Sequence, residues 1–391
     1  MHLTLSASLA CLLLASLAPA QVGTTYIVDV QGGPGVDFTS LGTAAASVPD
    51  GSTLVVRELG FEDLLIDGKS LTILGEGPLE FVDLQSSSAP QVRNLTAGQQ
   101  VVVRGIRFTG DAQGAGFSPQ VHDCAGLVWF EQCQLLSTWG GPGLDVANSQ
   151  QVVLVDCVLR GGRELDGPPL VALDVRQASR VHAFDSRLEG VWVNFFGCFP
   201  KHGVEVSGSS FLYAQDCTLT SGECPGFPPP GVPALVLDEG SEANLRECVF
   251  EVGPVGTPNV DPCGTCSILE WSVSARRVDT GDDLLTAGLP AQVSIEGLPG
   301  ETALLVFSSS SPAALALPEY LSCAVAQLPL QVVGMFQLSA AGALDLNFTP
   351  GLPPGVEHSL SFLQTVHLGT AQEPGIRAST PATLQVLAPG T

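Results

Sequence analysis

Three acidic residues at equivalent positions of a repeat are the clearest candidates for chemistry in this sequence. Asp145, Asp174 and Glu205 each lie between two apolar residues in a short segment whose alternation is typical of a β-strand. If these segments stack as neighbouring parallel strands, about 4.8 Å apart, the carboxylates cannot all be ionised without cost. Either a pKa rises, as in a general acid, or a cation such as Ca²⁺ binds between them. We call the three residues the carboxylate ladder.

Basic residues accompany the carboxylate ladder: Arg176 follows Asp174, and Lys201 and His202 precede Glu205. Carboxylates about 5 Å apart suit a retaining glycosidase, and a wider separation leaves room for the water of an inverting one. Alternatively, the carboxylates could hold calcium against an acidic sugar while Arg176 or Lys201 acts as the base of a β-elimination. A solvated surface remains an equally simple interpretation, because 39 of the 391 residues are acidic.

Loops that lead into the same segments carry aromatic side chains. Flat rings beside carboxylates suit sugar rings, although packing within the loops would explain them as well. Together with His202, the predicted binding residues are Trp139, Arg163, Trp192, Phe195, Phe196 and Phe199.

The elements that position these residues follow from a pattern that is clearest at residues 152–159 and recurs every 24 to 31 residues. Apolar residues alternate with period two, and the parity changes across a two-residue corner, so two strands meet there. One position, the residue directly after the corner, defines the alignment of the repeats. In successive repeats it is occupied by Glu76, Ile106, Cys133, Cys157, Ser186, Cys217 and Cys248. The corner itself holds Asp156, Asp185, Asp216 and Glu247.

A third apolar strand precedes the other two, at Leu144, Leu173, Val204 and Leu235. Units of this length bury a core only against their neighbours, so we predict an all-β chain with a right-handed parallel β-helix of about seven rungs. The predicted limits are residues 21–67 for an N-terminal cap, 68–275 for the β-helix and 276–283 for a linker. Short apolar strands separated by Pro and Gly predict a β-sandwich over residues 284–391.

The N-terminal region has a strand at residues 26–30, a short helix capped by Asp37 or Thr39, a turn at 49–51 and strands near 53–56 and 70–75. This order resembles the N-terminal cap of β-helix proteins of the pectin-lyase-like superfamily, especially the pectin methylesterase branch. The resemblance implies that polysaccharide is bound and cut on the outward face. The catalytic motifs of the superfamily are not matched. Residues 215–219 resemble a pectin methylesterase signature but contain an extra cysteine. Residues 201–203 resemble a polygalacturonase motif, but the paired aspartates and the Arg-x-Lys motif that accompany it there are absent. Residues 284–391 resemble small modules appended to secreted bacterial proteins.

The N-terminal residues, the net charge and the apolar segments indicate where the protein is located and what it can bind. Residues 1–20 read as a secretory signal peptide, so we expect a secreted or cell-surface protein. A net charge of −24 opposes binding to nucleic acid or anionic membranes. No later apolar segment approaches the roughly 20 residues of a membrane span.

Four cysteines lie in the repeat pattern itself, and Cys198, Cys224, Cys263 and Cys266 lie in the loops that follow it. Cys133, Cys157, Cys217 and Cys248 occupy inward positions, where they are expected to be inert core residues. Cys198 and Cys224 lie in successive loops and could form a disulfide.

These observations favour a secreted, non-catalytic scaffold that binds extracellular polysaccharide or a cell-surface partner, with calcium as the one candidate cofactor. A polysaccharide lyase or glycoside hydrolase that uses the carboxylate ladder is the alternative. A structural protein of the cell envelope is the third hypothesis.

Overall fold

The computed structural model describes residues 23–60, 62–76, 82–86, 88–110, 118–137, 141–162, 171–194, 198–200, 202–222, 232–238, 240–251, 260–261, 267–271, 277–279, 285–308, 314–317, 321–325, 331–352, 354, 356–368, 370 and 376–389. The chain divides into two compact units, one of residues Tyr26–Ser272 and one that contains Val273–Thr391.

The first unit is a parallel β-helix of about six turns, close to the seven expected. Its described strands form three sheets, in which strands at equivalent positions of successive turns pair in parallel. Sheet A contains β1 (Thr25–Asp29), β2 (Ser52–Glu58), β4 (Leu71–Gly75), β7 (Gln100–Arg104), β10 (Leu127–Glu131), β13 (Gln151–Val155), β16 (Arg180–Phe184), β21 (Phe211–Gln215), β24 (Glu242–Arg246) and β27 (Ser267–Trp271).

The other two sheets complete each turn. Sheet B contains β5 (Val82–Ser86), β8 (Ile106–Gly110), β11 (Gln134–Leu136), β14 (Val158–Arg160), β17 (Arg187–Glu189), β22 (Thr218–Thr220) and β25 (Val249–Glu251). Sheet C contains β3 (Leu65–Asp67), β6 (Gln91–Arg93), β9 (Gln120–His122), β12 (Leu144–Ala147), β15 (Leu173–Arg176), β20 (Val204–Val206), β23 (Leu235–Leu237) and β26 (Val260–Asp261). A hairpin of β18 (Trp192–Asn194) and β19 (Cys198–Pro200) follows β17.

The predicted repeat is confirmed at the level of single residues. Val152 pairs with Val128 and Val181, and Leu159 pairs with Leu135 and Leu188. These side chains are at most 1% exposed and belong to one continuous hydrophobic core. The stacked turns therefore bury the columns of apolar residues, a column being one position followed through successive turns.

The corner between sheets A and B has a specific backbone conformation. Asp156, Asp185, Asp216 and Glu247 have φ angles of 51°, 47°, 54° and 50°. One residue in the left-handed region turns the chain without a helix, and Asp tolerates this conformation better than most residues. The change of parity in the sequence pattern is thus the sign of a single left-handed residue.

Two details at the N-terminal end differ from the expectation. Val82, not Glu76, pairs with Ile106 in sheet B, because additional residues separate the first strand of this turn from the second. The helix α1 (Leu41–Ser47) begins after Ser40, whose side chain accepts a hydrogen bond from the amide of Thr43 at 3.1 Å. Asp37, one of the predicted caps, instead accepts a hydrogen bond from the amide of Ile27.

The outward side of sheet A is also buried. Val102, Trp129, Val153, His182 and Tyr213 lie in one outward column and are at most 2% exposed. An uninterrupted apolar run such as residues 152–155 is typical of a strand buried on both sides. Sheets B and C are therefore the ones that present polar residues on their outward faces.

The described strands of the second unit form an antiparallel sheet, a mixed sheet and a separate antiparallel pair. Sheet D contains β28 (Arg277–Asp279), β30 (Ala291–Glu296) and β35 (Ala343–Phe348), so part of the predicted linker is a strand. Sheet E contains β29 (Leu285–Thr286), β38 (Ala382–Leu387), β36 (His358–Leu368), β31 (Thr302–Ser308), β34 (Gln331–Gln337) and β37 (Ile376–Ala378). A separate pair is formed by β32 (Ala314–Leu317) and β33 (Leu321–Val325). Val293 of sheet D and Leu305 of sheet E share a hydrophobic core, which supports the predicted sandwich.

A serine ladder, consisting of Ser149, Ser179 and Ser210, stabilises the turn from sheet C to sheet A. The Ser179 hydroxyl accepts a hydrogen bond from the amide of Ser149 at 3.1 Å and donates one to the Arg176 carbonyl at 2.6 Å. The Ser210 hydroxyl accepts from the amide of Ser179 at 3.1 Å. These serines are at most 1% exposed, so the hydroxyls replace water as partners of buried amides.

Replacing Ser179 with Ala should lower the free energy of unfolding by about 1–3 kcal/mol, because the buried amide of Ser149 loses its acceptor. Chemical denaturation monitored by circular dichroism measures this change. The matched control is Ser207→Ala, a half-buried serine of the neighbouring turn, which should change stability by no more than about 0.5 kcal/mol. Equal effects of the two substitutions would contradict the role of the serine ladder.

Candidate functional site

Sheet C aligns the carboxylate ladder as the spacing predicts. Asp145 of β12 pairs with Asp174 of β15, which pairs with Glu205 of β20, and Val236 of β23 continues the column. The three acidic residues therefore lie on consecutive turns, on the side of the sheet opposite the core. They differ in environment, since Asp145 is 6% exposed while Asp174 and Glu205 are half-buried.

Asp145 is held by two basic side chains. The Arg176 guanidinium donates two hydrogen bonds to it, Nε to Oδ1 at 3.0 Å and Nη2 to Oδ2 at 2.7 Å. The Nε2 atom of His122 lies 3.1 Å from Oδ2 of the same carboxylate. Arg176 also approaches Asp174, with Nε 3.7 Å from Oδ2. The arginine thus bridges two adjacent members of the carboxylate ladder and relieves their repulsion.

The partners of Asp145 decide its charge. Burial raises the pKa of this carboxyl group, but the hydrogen bonds from His122 and Arg176 and the positive charge of Arg176 outweigh burial, and the pKa lies below its usual value. The hydrogen bond to Asp145 likewise raises the pKa of Arg176. At neutral pH the pair is an ionised carboxylate and a guanidinium. This environment opposes a role for Asp145 as a proton donor and a role for Arg176 as a base.

His122 is the residue of this site that the sequence analysis missed. Its side chain is 30% exposed, and the ionised Asp145 can only accept a hydrogen bond, so Nε2 carries the proton. In the neutral imidazole this leaves Nδ1 as an acceptor. An aspartate that fixes the orientation and tautomer of a histidine is the arrangement found in general-base sites.

The reason for the omission is a turn of variable length. The core residue of β9, Val121, precedes Val128 by seven positions, whereas Val146 of β12 precedes Val152 by six. A search for the third strand at a fixed number of residues before the aligned positions, such as Cys133, therefore misses the strand of this turn. The alternation in residues 120–122, one core valine between two polar residues, was the available signal.

The polar surface continues towards the N-terminal end of sheet C. Arg93 of β6 donates to Asp67 of β3, with Nη2 2.8 Å from Oδ2, and Asn94 donates to the other oxygen of Asp67 at 2.8 Å. These hydrogen bonds lower the pKa of Asp67, which is exposed to solvent. Arg93, like Arg176, is thus paired with a carboxylate on the face itself.

A calcium site is not preformed in the described part of the chain, where no three His, Cys, Asp or Glu side chains converge as metal ligands. A cation at Asp145 would have to compete with Arg176 and His122 for both carboxylate oxygens. Of the other two members of the predicted calcium set, Asp174 also lies near Arg176, and Glu205 follows Asp174 in the column.

The remaining predicted residues fall into three groups. His202 is half-buried, and its Nδ1 atom lies 3.1 Å from the Pro233 carbonyl oxygen, a contact that orients the ring. In the hairpin of β18 and β19, Trp192 pairs with Pro200 and Phe199 with Val193; this hairpin also contains Cys198. The residues outside the described part of the chain are Trp139, Arg163, Phe195, Phe196, Lys201 and Cys224.

The chain matches no protein-family model, and no curated protein is similar to it in sequence. Within the described residues, no helix combines the length and the apolar character needed to cross a membrane. The functional argument therefore depends on the geometry of sheet C.

Replacing Arg176 with Gln should destabilise the β-helix at neutral pH by roughly 1–3 kcal/mol, because the buried Asp145 loses its strongest partner. The pKa of Asp145 is lower in the folded chain than in the unfolded chain, where it is about 4, so the ionised carboxylate stabilises the folded state above about pH 4. This contribution to stability disappears as the pH falls through the pKa of the folded state. The difference between the parent protein and the variant should therefore shrink from about pH 5 downwards. Thermal unfolding measured between about pH 2 and pH 7 tests this prediction.

The control is Arg93→Gln, which removes the partner of an exposed carboxylate. Solvent screens such a pair, so its loss should change stability much less than the loss of Arg176 does. A pH-independent effect of Arg176→Gln would show that Asp145 does not carry the predicted charge.

Proposed function

We propose that this chain is a secreted β-helix scaffold that binds an extracellular polysaccharide on the outward face of sheet C without cleaving it. The observation that carries the proposal is the double pairing of Asp145, which leaves the most buried residue of the carboxylate ladder without a free proton or a free oxygen for catalysis. Asp145 and Arg176 are committed to each other, so this pair positions side chains on the face and does not itself transfer a proton.

The composition of the face supports a hydroxyl-rich ligand. Its two outward columns are rich in hydrogen-bond donors and acceptors, on strands about 4.8 Å apart. From the N-terminal end these residues are Gln91, Arg93, Gln120, His122, Asp145, Asp174, Arg176 and Glu205. A regular array of such groups offers one set of hydrogen bonds for each turn, which suits a repeating polymer.

An uncharged polysaccharide fits this face better than an acidic one. Both described arginines of the face, Arg93 and Arg176, are paired with carboxylates, and the chain carries a net charge of −24. A polyanion would meet no unpaired guanidinium on these strands and would be repelled at longer range. The resemblance to the pectin-lyase-like superfamily also supports this face as the place of binding, and the predicted signal peptide supports an extracellular ligand.

The binding experiment compares soluble neutral glycans with polyuronates, with and without Ca²⁺, using affinity electrophoresis and calorimetry on the full chain. The triple variant Gln120→Ala, Asp174→Ala, Glu205→Ala should bind a neutral glycan at least about tenfold more weakly than the parent protein, because several hydrogen bonds are lost. The matched control is Arg187→Ala with Glu189→Ala, an ion pair on the outward face of sheet B, which should leave binding unchanged.

The outcome separates the alternatives. No binding to any glycan would favour a structural envelope protein or a protein partner. Binding of a polyuronate only in Ca²⁺ would contradict the neutral ligand and favour a calcium bridge at Asp174 and Glu205.

A second candidate function is polysaccharide cleavage, and the orientation of His122 by Asp145 favours it. In that case the Nδ1 atom of His122 is the base, in place of Arg176 or Lys201. Turnover of a glycan by the parent protein, lost at least about a hundredfold in His122→Ala, would replace the non-catalytic proposal. Asp145→Asn should then lower turnover as well, whereas Arg187→Ala should not.

A further inference from the structure

Cysteine occurs repeatedly at one position of the β-helix, directly before the strands of sheet B. Cys133, Cys157, Cys217 and Cys248 occupy this column, and Ser186 separates them into two adjacent pairs. The Sγ atoms lie close to backbone carbonyls two residues earlier, for example 3.3 Å in Cys157 and 3.2 Å in Cys217. The Ser186 hydroxyl donates the equivalent hydrogen bond to the Phe184 carbonyl at 2.8 Å. This position of the repeat therefore holds small side chains that can donate to the carbonyl two residues earlier.

The two pairs differ in their access to solvent. Cys133 and Cys157 are each 1% exposed and lie between further turns of the described β-helix. Cys217 is fully buried, but Cys248 is only half-buried. It precedes β25, the last strand of sheet B in the described chain, and the neighbouring Val249 is 56% exposed.

The Cys217 and Cys248 pair has a geometry compatible with a covalent bond between turns. Thr218 and Val249, which follow the two cysteines, are paired in parallel, and the amide of Val249 donates to the Cys217 carbonyl at 2.8 Å. The Sγ atom of Cys248 lies 3.4 Å from the carbonyl of Ala214, on the turn of Cys217. Neighbouring strands are about 4.8 Å apart, inside the Cα separation of roughly 4.4–6.8 Å that disulfides allow.

The electrostatics of the pair give its members different reactivities. A hydrogen bond from the Cys217 thiol lowers the pKa of Cys248, although burial opposes this effect. Burial raises the pKa of Cys217 well above its usual value, and the hydrogen bond with Cys248 adds to this. Burial also raises the pKa of Cys157, and it raises that of Cys124 to about 11. Thiolates are the reactive form, and Cys248 is also the half-buried member of the column, so geometry and electrostatics both favour it as the attacking thiol.

We propose that Cys248 and Cys217 form a redox-active dithiol, in which the half-exposed Cys248 attacks a small-molecule disulfide and the buried Cys217 resolves the product into a disulfide between two turns. Cys133 and Cys157, stacked in the same column but buried on both sides, do not react in the folded protein. This inference is independent of the glycan-binding proposal.

The chemistry requires a disulfide of low molecular weight, such as glutathione disulfide. The Cys248 thiolate attacks one sulfur, forms a mixed disulfide and releases one thiolate of the reagent. The Cys217 thiol then attacks the Cys248 sulfur, and its proton passes to the second thiolate of the reagent as that thiolate leaves. The two cysteines are oxidised by two electrons, and the reagent is reduced to two thiols.

The test uses the full chain, reduced, desalted and then incubated with glutathione disulfide under native conditions. Remaining thiols are alkylated after denaturation, and peptides are mapped by mass spectrometry without reduction. We expect a linked peptide pair containing Cys217 and Cys248, while Cys124, Cys133 and Cys157 are recovered as alkylated thiols. In native alkylation, Cys248 should react at least about tenfold faster than Cys157.

Two variants assign the steps. Cys217→Ser should retain glutathione on Cys248, because the resolving thiol is absent, and Cys248→Ser should leave Cys217 unmodified. Cys133→Ser is the matched control and should form the Cys217 and Cys248 link at the parent rate. If a variant unfolds, the comparison between the two pairs in the parent protein still decides the question.

Three results would overturn the proposal. The first is that Cys248 is unmodified in the parent protein, and the second is a mixed disulfide on Cys248 that Cys217 never resolves. The third is that Cys133 and Cys157 oxidise as fast as the other pair, which would mean that position in the stack does not control reactivity.

Discussion

The in-register parallel pairing of successive turns is the constraint on which the rest of the first unit depends. Parallel pairing places each residue about 4.8 Å from the residue at the same position of the next turn. Apolar positions such as those of Val152 and Leu159 therefore become continuous buried columns. The single left-handed residue at each corner, for example Asp156, keeps this register while the chain passes from one sheet to the next.

The same constraint has a cost for charged residues, because identical charges are brought together as readily as identical apolar groups. Asp145 and Asp174 are forced into adjacent positions by the register of β12 and β15. Arg176 resolves this conflict by bonding to one carboxylate and approaching the other, and His122 contributes from the preceding turn. The candidate site is thus the place where stacking creates electrostatic repulsion and the neighbouring column supplies the compensation.

Position along the stack then distinguishes chemically identical residues. Cys157 and Cys248 occupy the same column and make similar contacts with backbone carbonyls. Cys157 has turns on both sides, whereas Cys248 lies beside the last described strand of sheet B. The exposed fractions of the two side chains differ accordingly, so two residues of one column can differ in reactivity.

The sequence by itself determined the architecture of this protein. Periodicity identified the columns, the corners and the register of the carboxylate ladder, because every turn must bury the same face against its neighbours. It could not identify His122 as a partner of Asp145, since one additional residue in the preceding turn shifts the spacing. It also could not show that Arg176 bonds to Asp145 of the preceding turn in addition to approaching Asp174, its neighbour on the same strand.

Burial was decided by the tertiary structure as well. The outward column of sheet A that contains Trp129 and His182 is buried, although strand alternation alone assigns it to the surface. Cys248 is half-exposed, although its column is otherwise core. The spacing of the repeat specifies which residues stack, because parallel pairing brings the same position of each successive turn together. Partners across turns and access to solvent depend on the lengths of individual loops and on what lies beyond the last strand, and only the folded chain settles these.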